Sequence, residues 1–199
     1  MKYRVITISR QYAAYGRTIA ARLSEKLGLP YYDKDFVKKT AEEGGFDLDT
    51  VRAESEELSQ GDKFMNTLLN AATTSYSSYD SIFTTQAKVI LELSKEPCII
   101  VGRCANRILR DAGVPSFHIY LYADEESRRA RAKELLAEEG KTGADIGKYI
   151  EKRDSKRRTY YRTYTGREMD DPANYNICLD VGAIGVDRCA ELLIDLLKD

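Results

Sequence analysis

Five short apolar runs recur along the chain, at Arg4–Ser9, Pro30–Asp33, Cys98–Gly102, Phe117–Tyr122 and Asn176–Val181. They are rich in Val, Ile and Tyr, too short for core helices, and several end at a turn residue, which is the pattern of central strands. Helical patterns separate them. Thr18–Leu27 sets Ile19, Leu23 and Leu27 on one face and stops at Gly28. Asp124 caps a pattern whose first turn carries Glu125 and Glu126, acids that suit the positive end of a helix, and Asp187–Leu197 repeats Leu and Ile on one face. Strands alternating with helices predict a three-layer α/β fold, a parallel five-stranded sheet covered on both faces, with ligands at the carboxyl ends of the strands.

At 199 residues the chain is long enough for one domain with an inserted lobe, burying roughly 70% of its unfolded surface. Its 31 basic residues balance 32 acidic ones, for a net charge of −1, so no overall field draws nucleic acid or a membrane surface and neither is expected as a partner. Cys98, Cys104, Cys178 and Cys189 lack Cys-x-x-Cys spacing and read as reduced core thiols. No run approaches the roughly 18 apolar residues of a membrane span, and no apolar leader follows Lys2 and Arg4. A cytoplasmic protein is the expectation.

Two stretches interrupt the alternation. Residues 34–95 hold two strands about sixty residues apart, with acids crowded between Glu42 and Asp62 and a Ser/Thr/Tyr-rich part at Thr73–Thr85, and are expected to form a helical insertion. Residues 140–167 begin as a turn and continue through Lys148–Arg167, where eight basic residues stand against two acidic. That composition suits a mobile basic lid over a core of 1–33, 96–139 and 168–199.

Several candidate residues follow the strand ends. Gln11-Tyr12-Ala13-Ala14-Tyr15-Gly16-Arg17-Thr18 has the length and ending of a phosphate-cradling loop, with Gln for the first Gly and Arg for the Lys; an ordinary strand-to-helix turn has the same outline. On a helix, Arg153, Lys156, Arg157 and Tyr160 share one face, so that either water screens the three cations or an anion sits at their focus. Asp154 lies beside this stripe, placed to orient an arginine or meet a ligand hydroxyl. Arg128 and Arg131 stand one turn apart after the fourth run, Gly102 and Arg103 end the third, and Asp33 ends the second as a helix cap or a site residue. His118 alternates with apolar neighbours and reads as a packed histidine. No second histidine exists to share a metal with it.

The order of these pieces, "ITISRQYAAYGRTIA", "LGLPYYDKDFV", "IIVGRCANRIL", "IYLYADEESRRARA", "EKRDSKRRTYYRTYTG" and "DPANYNICLDVGAIGVDRCAELL", resembles the cytidylate kinase-like branch of the P-loop nucleoside monophosphate kinases nearly end to end. The resemblance implies a P-loop NTPase fold and transfer of the γ-phosphoryl of ATP, with Mg2+, to a nucleotide or small phosphorylated acceptor. By this likeness Gln11–Thr18 would wrap the nucleotide phosphates, Arg17 would stand in for the loop lysine and Thr18 would face magnesium. Asp33, Lys38, Lys39 and Arg103 would serve the acceptor. Arg128 and Arg131 would serve the nucleotide side of the lid, and Arg153, Asp154 and Arg157 would close over the phosphates, with Arg17, Arg153 and Arg157 as the catalytic cations. Val101-Gly102-Arg103-Cys104 stands where cytidylate kinases carry Asp-Gly-Arg-Asp. Two other classes remain: a nucleotide-binding regulator or sensor with the same fold and weak catalysis, and an RNA-binding module built on the basic stretch.

Overall fold

The computed structural model describes residues 3–33, 35–45, 78–141, 143 and 145–198. Five parallel strands, β1 (Val5–Arg10), β2 (Tyr31–Tyr32), β3 (Cys98–Val101), β4 (Ser116–Tyr122) and β5 (Ile177–Asp180), form one sheet in the order β2-β3-β1-β4-β5. The central strand β1 therefore lies between β3 and β4, with Ile6 opposite both Ile99 and Phe117, and Ile8 opposite both Val101 and Ile119.

Alternation along each strand divides the core between two faces. On one face Ile6, Ile8, Ile99, Val101, Ile119 and Leu121 pack against α1 (Gly16–Leu27) and a carboxyl-terminal helix running Val186–Lys198. On the other, Val5, Cys98 and Ile100 meet a helix over Ser78–Leu93 and one over Ala105–Asp111. In chain order the helices are α1, α2 (Asp35–Gly44), α3 (Ser78–Leu93), α4 (Ala105–Asp111), α5 (Glu125–Glu138), α6 (Ile146–Thr165), α7 (Val181–Ile184) and α8 (Val186–Lys198). The three-layer expectation holds, and all five expected strands are present with no end shifted by more than one residue.

The helix signals act as read. Gly28 ends α1 in the left-handed conformation, φ 67°, and the Asp124 carboxylate accepts the Ser127 N–H at 2.9 Å. Of the expected insertion, α2 and α3 pack on one another, while residues 34 and 46–77 lie outside the described residues. The basic stretch becomes α6, a 20-residue helix capped by Asp145 and stopped at Gly166. Its amino-terminal half packs Ile146, Tyr149 and Ile150 on Tyr12, Ala13 and Ala132, and its carboxyl-terminal half buries Tyr160 and Tyr161 with Tyr120, Met169 and Tyr175. The four cysteines are free, and burial pushes the Cys98 thiol up to about 11. His118 is packed as expected: Nδ1 lies 2.8 Å from the Thr7 hydroxyl, and burial, with Arg110 nearby, lowers its pKa to about 4. Among the described residues no helix is long and apolar enough to cross a membrane.

Candidate functional site

Strand β1 delivers the chain to the sheet's carboxyl edge, where residues 11–15 turn it into α1. Ala13 (φ 61°) and Tyr15 (φ 56°) are left-handed there, a conformation that non-glycine side chains resist. Gly16 is instead the first helical residue, and its missing side chain is a matter of clearance: a Cβ would stand 2.9 Å from Cγ of Arg10. Tyr15 precedes the helix without a side-chain cap. The first N–H groups of α1 thus have neither intrahelical partners nor a capping oxygen, and they carry the positive end of the helix dipole.

Gly16, Arg17 and Thr18 face a cleft of about 610 Å³, whose other walls are residues 10–15, Arg131, Leu135 and Glu139 of the α5 region, and Arg153 and Arg157 of α6. Tyr12 gathers the α6 cations. The Arg153 and Arg157 guanidinium carbons lie 5.4 and 5.6 Å from its ring centroid, and Tyr149 meets the ring edge-on at 5.6 Å. Arg131 lies 5.6 Å from the Tyr15 centroid and pairs with Glu134 at 2.6 Å.

Buried Asp154 fastens α6 to this loop. Its Oδ1 accepts the Tyr12 backbone N–H at 2.6 Å, and its Oδ2 accepts from Nη1 of Arg128 on α5. Of the two roles open to Asp154 in the sequence, orienting an arginine is the contact present. The cationic face expected on α6 divides: Arg157 and Tyr160 are buried, whereas Arg153 and Lys156 are partly exposed.

Asp33, at the end of β2, is a second buried carboxylate. Arg17 Nε donates to its Oδ2, while Arg10 Nη2 and Arg103 Nη1 lie 3.9 and 3.8 Å from its Oδ1. Arg17 thus reaches across to Asp33 with its side chain 53% exposed, whereas the side chain of Arg10 is only 7% exposed. Arg103 sits in a left-handed turn, with φ of 81°, 56° and 55° at Gly102, Arg103 and Cys104, and its Nη1 donates to the Val101 carbonyl at 3.3 Å. A smaller cavity of about 270 Å³ opens beside this group, walled by Ser9, Arg10, Arg103, Arg157, Tyr161 and Met169 among others.

The fold therefore brings together the whole 11–18 loop with Asp33, Arg103, Arg128, Arg131, Arg153, Asp154 and Arg157. Lys38 does not join them; it is exposed and lies 3.7 Å from Glu42. The Lys39 side chain lies outside the described residues. Two residues at the site were not anticipated. Arg10 was missed because a charge ending a strand reads as the return to solvent, although its place directly before the loop was a signal. Glu139 was missed because it follows an acidic helix end. Its carboxyl is held below the usual range by the Lys141 ammonium hydrogen-bonded to it. Among the described residues no three His, Cys, Asp or Glu side chains cluster as a metal site.

The chain matches the shikimate kinase of Bacteroides thetaiotaomicron with a TM-score of 0.57 at 12% identity, over 98% of each chain. It matches an uncharacterized protein from Eubacterium ventriosum with a TM-score of 0.69 at 21% identity, also over 98% of each chain. The fold is that of the P-loop kinases. The Cytidylate kinase-like family model matches residues 5–183, and the chain belongs to that family. A cytidylate kinase from Methanoculleus marisnigri is 31% identical over 116 residues, which span 58% of this chain and 60% of that relative. Family and fold together support a function of the nucleotide-kinase type.

Proposed function

We propose that this protein transfers the γ-phosphoryl of ATP, with magnesium, to a nucleoside monophosphate or similar small phosphorylated acceptor. One observation carries the reading: an uncapped helix N-terminus and its preceding loop form one wall of a cleft whose other walls present Arg131, Arg153 and Arg157. Phosphoryl transfer asks a protein for positioning and for cations where charge builds up, with little covalent chemistry. In this reading the loop N–H groups bind the donor phosphates. Arg153 and Arg157 neutralise their charge, and α6, held by Asp154, screens the cleft from water. The smaller cavity, with Arg103 in its wall, takes the acceptor.

The donor set on the cleft wall fits magnesium. Thr18 and Glu139, whose carboxyl Lys141 holds below its usual range, both line the cleft, and this ion keeps several waters while taking only one or two protein carboxylates beside substrate phosphates. Bound there, it would supply charge neutralisation between phosphate oxygens.

A second reading, a nucleotide-binding regulator with weak catalysis, is favoured by one contact: Arg17 is drawn onto Asp33 and half exposed. The RNA-binding reading loses support because two cations of α6 are already paired, Arg158 with Glu151 at 2.8 Å and Arg162 with Glu168 at 2.5 Å. The experiment is a thermal-shift panel of nucleoside mono- and triphosphates with and without magnesium, followed by ADP-release assays on every binder. A ligand at 100 times its Kd adds about 2.7 kcal/mol, or roughly 5–11 °C for a chain of this size. No shift with millimolar ATP and magnesium would sink both nucleotide readings, and a shift without ADP release for any acceptor would leave the regulator.

A further inference from the structure

Two arginines of α6 share one ring. Arg153 and Arg157 stand four residues apart, a spacing at which like charges on a helix repel, yet their guanidinium carbons lie 5.4 and 5.6 Å from the centroid of Tyr12. Arg153 also lies 5.9 Å from the Tyr149 centroid, and the Tyr149 ring meets Tyr12 edge-on. Tyr12, Arg153 and Arg157 all line the loop cleft. The attraction of a cation to an aromatic face helps to place each guanidinium. It acts alongside their other contacts, among them the 3.5 Å hydrogen bond from Arg157 Nη1 to the Arg10 carbonyl.

The ring itself is fixed. Tyr12 is buried, packs with Ala13, Ala132 and Ile150, and donates its backbone N–H to Asp154. It belongs to the turn that leads into the uncapped N-terminus of α1, so both arginines are aimed relative to the loop rather than by their own helix alone. Burial raises the Tyr12 phenol above its usual range, and the ring is neutral at physiological pH. That neutrality decides what the contact does. A carboxylate holds an arginine by cancelling its charge, as Asp154 does for Arg128 and Asp33 for Arg17. A neutral ring orients a guanidinium and leaves its charge intact for an anion.

We propose that Tyr12 is a positioning residue for phosphate binding, its side chain holding Arg153 and Arg157 toward the cleft before a nucleotide arrives. This rests on the phosphotransferase reading above, in which the loop N–H groups and these two arginines meet the donor phosphates. Ordering a long side chain opposes binding, and a ring that orders two of them beforehand removes that cost from the binding step.

Titration calorimetry with ATP and magnesium tests the assignment. Tyr12→Leu keeps apolar packing and the backbone N–H but deletes the ring, and ATP affinity should fall about tenfold, the equivalent of the stronger cation–π contacts. Tyr12→Phe restores the ring and should recover most of the affinity. In an Arg153→Met background one of the two cations is already gone, so Tyr12→Leu should cost only about threefold, the non-additivity expected of residues that act together. Phenylalanine, fluorophenylalanine and trifluorophenylalanine in place of Tyr12 differ little in shape while fluorine draws charge from the ring face, so affinity should fall along that series. A loss below about twofold for Tyr12→Leu, an equal loss with and without Arg153, a Tyr12→Phe as weak as Tyr12→Leu, or a flat fluorine series would each overturn the assignment and leave Tyr12 as packing alone. Should Tyr12→Leu fail to fold, the fluorine series decides by itself. A wild type that binds no ATP refutes the phosphotransferase reading, and the assignment falls with it.

Discussion

Asp154→Ala is the perturbation whose cost the structure defines most sharply. The carboxylate is buried, accepts a backbone N–H from Tyr12 at 2.6 Å, and pairs with Arg128, whose side chain is 15% exposed. Removing one partner of a buried pair leaves the other charge unsatisfied, and the loss is about 3–5 kcal/mol. At roughly 2–4 °C per kcal/mol for a chain of this length, the melting temperature should fall by about 6–20 °C. Asp154→Asn keeps one oxygen for the Tyr12 N–H but turns an amide toward the guanidinium, so about 1.5–3 kcal/mol is expected. Adding Arg128→Met to Asp154→Ala removes the stranded cation, and the double variant should be more stable than the sum of the single effects by about 0.5–3 kcal/mol. Urea unfolding of the four proteins in this cycle measures it. A loss below about 1 kcal/mol for Asp154→Ala, or strict additivity with Arg128→Met, would refute the claim that this carboxylate holds α6 to the loop.

Gly16→Val forces a β-branched side chain against Cγ of Arg10; overpacking of this kind costs about 1–3 kcal/mol, so circular dichroism should still report a folded chain while ATP affinity drops at least about tenfold. His118 is the only histidine, and its folded pKa of about 4 lies below the ordinary 6.5. The unfolded chain then binds the extra proton between those values, so stability is complete above pH 6.5 and declines as pH falls toward 4, with a slope approaching about 1.4 kcal/mol per pH unit. His118→Gln should flatten that slope in urea titrations between pH 7 and 5. In the turn after β3, assigned to the acceptor in the proposed function, Val101 and Cys104 are buried and offer no carboxylate to the exocyclic amine of cytosine, so ADP-release assays should find CMP slow or poorly selected over UMP, and a large CMP preference would show that another residue reads the base.

The sheet was legible because Ile99–Val101 is a continuous apolar run and Val5–Ile8 and Phe117–Leu121 are each interrupted by one polar residue, Thr7 and His118, close to the near-continuous pattern of strands covered on both faces. Asp124 and Gly28 were legible because capping chemistry is local. Asp33 was placed at the strand end where it lies, but its three arginine neighbours come from β1, α1 and the turn after β3, contacts that no local pattern encodes. The α6 face was half legible. Helical spacing aligned Arg153, Lys156 and Arg157, yet which of them is buried depends on Tyr12 and the aromatic group around Tyr160, both supplied by other parts of the chain. The turn at Gly102 showed its glycine but not that Arg103 and Cys104 would follow it into the left-handed region.

That strain bears on why the site is built as it is. Among the described residues the non-glycine positions with positive φ are Ala13, Tyr15, Arg103 and Cys104, all in the two turns that follow the adjacent strands β1 and β3. At roughly 1 kcal/mol or more each, together they amount to a sizeable fraction of the 5–15 kcal/mol by which a domain is stable. Glycine would relieve the strain at each position, at some cost in chain entropy. At two of the four, the side chain retained has a partner at the site: Tyr15 presents its ring to Arg131, and Arg103 reaches Asp33. The same turns leave the α1 N-terminus uncapped and crowd Arg10 against Gly16. A chain shaped by stability alone would cap the helix and relax both turns. Strain concentrated where the cations converge is the expected mark of a site held ready for an anion, and it supports the proposed site at the carboxyl ends of β1 and β3 independently of any likeness to other proteins.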